Sequence, residues 1–152
     1  MKLAIGNDHT TPEMKERIKS HLEARGIEVI DVSPNDLPPP PYPVSGYKAS
    51  KLVAEGAVDG GVLLCGTGVG MSLTANKVKG IRACLCSEPY TARLSKQHNN
   101  ANVITFGGRV VGLEMAKTIV DAWLDAEYEG GRHIERVDMI TKIEEGGFTD
   151  AC

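Results

Sequence analysis

What this chain has little of narrows its identity first. Charge bias is slight, with 17 Lys and Arg against 20 Asp and Glu and a net charge of −3. Proteins that bind nucleic acid or membrane surfaces carry concentrated positive charge. Neither role follows here, and any anion site must be a local cluster of basic residues. No apolar run approaches the roughly 18 residues of a membrane-spanning helix. The four cysteines, Cys65, Cys84, Cys86 and Cys152, lack both the spacing of zinc ligands and the Cys-x-x-Cys of a redox pair. The opening Met-Lys-Leu-Ala-Ile enters a strand at once and is too short for a targeting segment, so a cytoplasmic protein with reduced thiols is expected. Internal repeats and a domain linker are also lacking. What remains is an ordinary globular composition, 41% apolar and 24% charged. At 152 residues the chain fits one domain spanning 1–152, long enough to bury a real core.

Strand-like and helix-like runs alternate along it. Lys2–Gly6 reads as a short apolar strand. Thr11 reads as an N-cap with Pro12 at the first helical position. Met14, Ile18 and Leu22 recur at helical spacing, and Gly26 stops the run. Further strands are expected over Glu28–Val32, Gly61–Cys65, Ile81–Cys86 and Val103–Phe106. Further helices are expected over Val44–Glu55, Gly70 to Lys77, Pro89–Gln97, Glu114–Leu124 and Arg132–Ile143. Ser33–Pro43 reads as a loop stiffened by Pro38–Pro41, and Gly146–Cys152 as a frayed tail. Five βα units imply an α/β fold, a three-layer sandwich around a five-stranded parallel sheet, Rossmann-like with the flavodoxin-like strand order. In such folds ligands bind beyond the C-terminal strand ends. That rule gathers Asn7, Asp8, His9, Cys65–Gly70, Ser87 and Gly107–Arg109 on one edge.

The most informative segment is Cys65-Gly66-Thr67-Gly68-Val69-Gly70-Met71, directly after the apolar run Gly61–Leu64. A strand ends in a thiol, alternating glycines allow a tight turn, and a helix follows. Such a turn aims several peptide N–H groups at one spot beside the sulfur. A free thiol titrates near ~8.5, and cations or a helix N-terminus lower that value. A base poised near neutrality can take a carbon-bound proton and return it. The alternative is a small buried apolar residue, as free cysteines commonly are. The glycines match neither the dinucleotide fingerprint nor a P-loop, whose lysine is missing.

Three other groups carry two readings each. Asp8-His9 can contact a phosphate or sugar hydroxyls, or Asp8 can simply cap a turn. His98-Asn99-Asn100 can pass a proton to a sugar ring oxygen, or mark a helix C-terminus with Asn in the left-handed cap. Arg132 and Arg136, one turn apart with His133 between them, can grip a phosphate monoester, or form a solvated face with Glu135 and Asp138. Arg109 is a third phosphate ligand or a structural ion pair. Cys84 and Cys86 are read as packing residues on opposite faces of a strand, and Trp123 as core or interface packing.

In combination these segments resemble the type B ribose-5-phosphate isomerase family, which also includes galactose-6-phosphate and allose-6-phosphate isomerases. The resemblance runs from Lys2 to Ile140. It is carried by Gly6-Asn-Asp-His9, Cys65–Met71, Ala75-Asn-Lys-Val78, Gly80-Ile-Arg82, His98-Asn-Asn-Ala-Asn-Val103, Gly107-Gly-Arg109 and Gly130-Gly-Arg-His133. It implies an aldose–ketose isomerase of phosphorylated sugars, with ribose 5-phosphate and ribulose 5-phosphate as the expected pair. Cys65 is then the base that moves a proton between C1 and C2 through a cis-enediolate. Thr67 and the amides of Gly66, Gly68, Val69 and Gly70 hold the enediolate oxygen. His98 opens the ring with Asn99 beside it, and Asp8 holds sugar hydroxyls. His9, Arg109, Arg132 and Arg136 bind the phosphate. The resemblance implies no metal and no organic cofactor. It implies a homodimer or dimer of dimers with shared active sites, the helix over 132–145 reaching the partner. Two departures from the family pattern fall near the expected sugar pocket. Thr10-Thr11 replace the usual Ala-Gly after the first histidine, and Pro41 replaces the usual Asp before Tyr42-Pro43. A hexose phosphate is therefore the alternative substrate. A non-catalytic phosphate- or nucleotide-binding module is the alternative of another class, although the third strand ends in Cys65 where a receiver domain carries its phosphoacceptor Asp.

Overall fold

The structure, a computed structural model, describes residues 1–35 and 38–149. Residues 36 and 37 of the proline-rich loop and 150–152 of the tail, with Cys152, lie outside the described residues. The strands are β1 (Lys2–Asn7), β2 (Glu28–Asp31), β3 (Gly60–Cys65), β4 (Ala83–Leu85) and β5 (Val103–Gly107). The helices are α1 (Pro12–Ala24), α2 (Tyr42–Ala54), α3 (Val69–Ala75), α4 (Pro89–Asn99), α5 (Leu113–Leu124) and α6 (Arg132–Glu144). All strand pairings are parallel, in the order β2-β1-β3-β5-β4. The three-layer α/β expectation is met, and most element ends fall within two residues of those read from the sequence.

The strand order departs from the flavodoxin type, which would place β4 beside β3. Burial explains the exchange. Every residue of β5 is buried, as a central parallel strand requires, whereas β4 is three residues long and only partly covered. Handedness then sets the helix faces. Crossovers between parallel strands are right-handed, so reversing the direction from β4 back to β5 moves α4 to the face that holds α1 and α5. The two cores reflect this. Leu3, Ile5, Val62, Leu64, Ile104 and Phe106 pack with Ile18, Leu22, Ala92, Ile119 and Trp123 on one face. Ala4, Leu63, Cys65 and Val103 pack with Ala49, Met71 and Ala75 of α2 and α3 on the other.

Two local expectations need correction. Cys84 and Cys86 do not face opposite sides. Residues two apart in a strand share a face, and both thiols belong to the α1/α4/α5 layer. Their mutual hydrogen bond lowers the Cys84 thiol and, with burial, raises that of Cys86. Thr11 occupies the N-cap position of α1, but its hydroxyl makes no cap bond and is buried without a partner. Its methyl instead presses on Gly108. Trp123 is core, its Nε1 donating to the Ala101 carbonyl at 3.0 Å.

A buried lysine ties α1 to the sheet. The side chain of Lys15 is fully enclosed, and its Nζ lies 2.7 Å from Asp31 Oδ2 and donates to the Ser33 carbonyl at 2.7 Å. Ser33 in turn donates its hydroxyl to Asn7 Oδ1 at 2.8 Å and accepts from the Asn7 backbone N–H at 2.8 Å. Lys15→Ala strips the partner from a nearly buried carboxylate and is expected to cost about 3–5 kcal/mol of unfolding free energy. Urea denaturation reads this directly, and an unchanged midpoint would remove Lys15 from the framework.

Candidate functional site

The C-terminal ends of β1, β3 and β5 bring three turns together. After β3 the chain turns through Gly66-Thr67-Gly68 into α3, and the Gly68 N–H donates to Cys65 Sγ at 3.1 Å. Gly68 sits at φ +82° and closes the turn against β5, where Thr105 Oγ1 donates to its carbonyl at 3.1 Å. The turn after β5 interlocks with it. Gly108 N–H donates to the Cys65 carbonyl at 3.0 Å and Arg109 N–H to the Gly66 carbonyl at 3.1 Å. Cys65 is buried, 5% exposed, at the floor of this junction.

The rim is built by neighbouring residues. A methyl placed on Gly66 would lie 3.6 Å from Arg109 Cδ and 3.7 Å from Thr10 Oγ1, so Arg109 and Thr10 both border the thiol's turn. Buried Asp8 accepts from the Thr10 N–H at 2.8 Å and from the Thr10 hydroxyl at 2.5 Å through the same Oδ1. Asn7 holds the strand end from both sides, since Ser45 also donates to its carbonyl at 2.7 Å. The ring of Tyr42, at the start of α2, packs on Gly70. His9 is exposed and shares a cleft of about 520 Å³ with Thr10, Arg17 and Gly108. That cleft borders the thiol's turn rather than containing it. Exposed Thr67 directs its Oγ1 to the Val69 N–H at 3.4 Å.

The remaining candidates are elsewhere. His98 and Asn99 end α4, and Asn100 takes the left-handed cap with φ +49°. Arg82, just before β4, donates its Nε to the carbonyls of Asn99 and Asn100 at 3.1 and 3.0 Å. This turn leads into the N-terminal end of β5, whereas Cys65 pairs with Gly107 at its C-terminal end. Four residues of strand, roughly 13 Å, separate the two. Arg132 and Arg136 are exposed on α6, with Arg136 Nη1 folded back onto the Arg132 carbonyl at 2.8 Å. Within one chain, therefore, Cys65, Gly66, Thr67, Gly68, Val69, Gly70, Asp8, His9 and Arg109 share one edge, and His98 and Asn99 occupy the other, where α6 packs on α4.

Sequence reasoning gave no site role to Thr10, Tyr42, Glu129 or His133, although it placed Thr10 and Tyr42 near the expected sugar pocket and His133 between the two arginines. Asp8-His9-Thr10 is an aspartate bonding the backbone and hydroxyl two residues on, a turn legible from composition. Glu129 and His133 stand four apart, a spacing that can be counted, but their meeting with His98 is tertiary. Burial first, then the His98 and Arg132 cations, hold the His133 imidazole below its ordinary range, with Glu129 opposing.

A parallel α/β chain with a thiol, oriented amides and a guanidinium at its strand ends has the make-up of an enzyme for small anionic molecules. The chain belongs to the ribose/galactose isomerase family, whose profile matches residues 3–140. It is 56% identical over 144 residues to ribose-5-phosphate isomerase B of Escherichia coli, covering 95% of this chain and 97% of that one. It is 43% identical to the LacB subunit of galactose-6-phosphate isomerase of Clostridium acetobutylicum, covering 97% and 88% respectively. The solved ribose-5-phosphate isomerase B of Clostridium thermocellum superposes with a TM-score of 0.93 at 47% identity, over 96% of this chain and 99% of that one. No helix among the described residues is long and apolar enough to cross a membrane.

The interlocked turns generate a direct test. A Cβ on Gly107 would sit 2.5 Å from Thr67 Cα and 2.8 Å from the Gly66 carbonyl oxygen, both backbone. Gly107→Ala should destabilise by about 1–3 kcal/mol through overpacking. Gly112→Ala, with nothing within 4 Å of the added methyl, is the matched control. Equal melting temperatures for the two variants would show that the turns can part freely.

Proposed function

We propose that the protein interconverts ribose 5-phosphate and ribulose 5-phosphate as an aldose–ketose isomerase of the cytoplasm. The observation that carries this reading is the Cys65 sulfur, met by the Gly68 N–H at 3.1 Å on the edge shared by Asp8 and Arg109. The thiolate takes the proton from C2 of the open-chain aldose and the resulting enediolate is reprotonated at C1. The C2 hydroxyl becomes the ketone as the C1 aldehyde becomes an alcohol, so no net redox partner is needed. Thr67 and the amides of Gly66–Gly70 face the enediolate charge, and each preorganised donor of this kind is worth on the order of 3 kcal/mol of barrier. Asp8, held by Thr10, accepts from the sugar hydroxyls.

His98 is the ring-opening acid–base, and on this reading it acts in the site of a second copy. The support is the separation of His98 and Asn99 from Cys65 within one chain. Further support is apolar surface flanking both halves: Tyr42, Val44, Val69, Leu73 and Leu85 near one, and Ile134, Met139, Ile140 and Ile143 on α6. Arg132 and Arg136 of the second copy then join His9 and Arg109 on the phosphate, and the assembly is a homodimer or a dimer of dimers.

A hexose phosphate is the second reading, supported by the galactose-6-phosphate isomerase relative and by Thr10 and Pro41 at the rim. Cys65→Ala is expected to abolish turnover of ribose 5-phosphate while substrate affinity stays within about tenfold. Wild-type initial rates on allose 6-phosphate and galactose 6-phosphate, measured in parallel, should be the lower ones. Normal turnover in Cys65→Ala would refute the base assignment, and a hexose preference would replace the sugar.

Shared sites make a second prediction. Mixing unfolded Cys65→Ala and His98→Ala chains and refolding them together yields half mixed dimers, each with one intact site. Activity should recover to about a quarter of wild type from two inactive parents. A mixture that stays inactive, with mixed dimers demonstrated by tag capture, would place each site within a single chain.

A further inference from the structure

The chemistry above uses His98 and leaves unused the two side chains that meet it, His133 and Glu129. His133, buried in the first turn of α6, stacks on His98 from the last turn of α4, with ring centroids 4.3 Å apart and planes 7° from parallel. Glu129 Oε2 faces the Nε2 of both rings, 3.8 Å from His98 and 3.7 Å from His133. The backbone fixes the arrangement. The Glu129 N–H donates to the Gln97 carbonyl at 3.0 Å and the His133 N–H to the Gly130 carbonyl at 3.0 Å. The segment entering α6 is thereby fastened to the last turn of α4.

These three donors lie close enough together to suggest a metal ion. The ring geometry argues otherwise. An imidazole binds a metal through its in-plane lone pair, and in two stacked rings whose planes lie 7° from parallel those lone pairs do not converge on one ion. The cluster suits a different task. His98 is about one-third exposed at a helix end, where an unsupported ring samples several rotamers. A proton shuttle needs one orientation held while the proton moves.

We propose that His133 and Glu129 are positioning residues for ring opening, His133 as the platform that fixes the plane of the His98 imidazole and Glu129 as the carboxylate that fixes its edge. This rests on the reading of His98 as the ring-opening group. Burial and the neighbouring Arg132 and Arg136 disfavour a charge on His133, which suits a ring that supports His98 by stacking. Glu129 supplies the opposing charge.

Ribulose 5-phosphate separates ring opening from proton transfer. Its C5 oxygen carries the phosphate and cannot close a five-membered ring onto C2, so the ketose reaches the site open. Exchange of its C1 proton with deuterated water therefore uses Cys65 without ring opening. His133→Ala should slow turnover of ribose 5-phosphate about tenfold, a part of what acid–base catalysis supplies, and change C1 exchange by less than about twofold. Glu129→Gln alters a half-exposed side chain and carries the test if His133→Ala fails to fold. It should slow ribose 5-phosphate turnover severalfold with the same selectivity. His133→Phe keeps a flat ring and should recover most of the loss. Equal losses in both reactions, or none in either, would overturn the proposal. A wild-type protein that catalyses neither reaction would instead strike the proposed function itself.

Discussion

The junction between the turns after β3 and β5 is the constraint on which the rest of the site depends. Two backbone bonds, from Gly108 to the Cys65 carbonyl and from Arg109 to the Gly66 carbonyl, extend the β3–β5 ladder past the end of the sheet. They draw the chains so close that Gly107 has room only for hydrogen against the Thr67 backbone. The strand end that carries the sulfur, the peptide N–H that meets it and the backbone of Arg109 are therefore positioned by main chain. Main chain held by a parallel sheet moves little, and fixed donors are what a developing oxyanion requires. The buried chain Lys15–Ser33–Asn7 does the same for the third turn, fixing the strand end from which Asp8 projects.

The strand order has a consequence for the far edge. Because β4 lies outside β5, the chain reverses direction across the sheet, and right-handed crossing sends α4 to the face of α1 and α5. Its last turn comes down beside Arg82 and the N-terminal end of β5. The last helix then packs on α4 there, adding Arg132, His133 and Arg136. A flavodoxin-like order would have placed α4 on the opposite face, against α3. The exchange of two strands thus builds a second cluster of polar groups, distinct from the one around Cys65.

Much of this was legible in the sequence because much of it is local. Pro12 at the helix start, Gly26 at its end, the continuous apolar runs before Cys65 and Gly107, and the amphipathic Leu113–Leu124 helix each reflect their own few residues. Sheet order is not local. β4 and β5 carry similar short apolar runs, and only their relative burial tells which is central. The pairing of Cys84 with Cys86 followed from strand periodicity and was misjudged. Thr11 showed the composition of a cap, but close packing against Gly108 turned it inward. Which candidates share an edge was legible for those at strand ends, where topology decides. The stack of His98 on His133 joins residues 35 apart through two helices and leaves no trace in spacing.

The division of polar groups between the two edges has a thermodynamic corollary on the proposed reading. One edge holds the thiol, its amides, Asp8, His9 and Arg109. The other holds His98, Asn99, Arg132 and Arg136. A phosphate gripped by guanidiniums from both is bound fully only when two copies meet, so substrate has higher affinity for the assembled state than for separated chains. By linkage, a ligand that prefers one state stabilises it. On that reading sugar phosphate is an interfacial adhesive as well as a reactant. On the same reading the apolar surfaces of α3, β4 and α6 need not make the proposed assembly tight by themselves, because the dianion would neutralise cations that the proposed interface would otherwise crowd together.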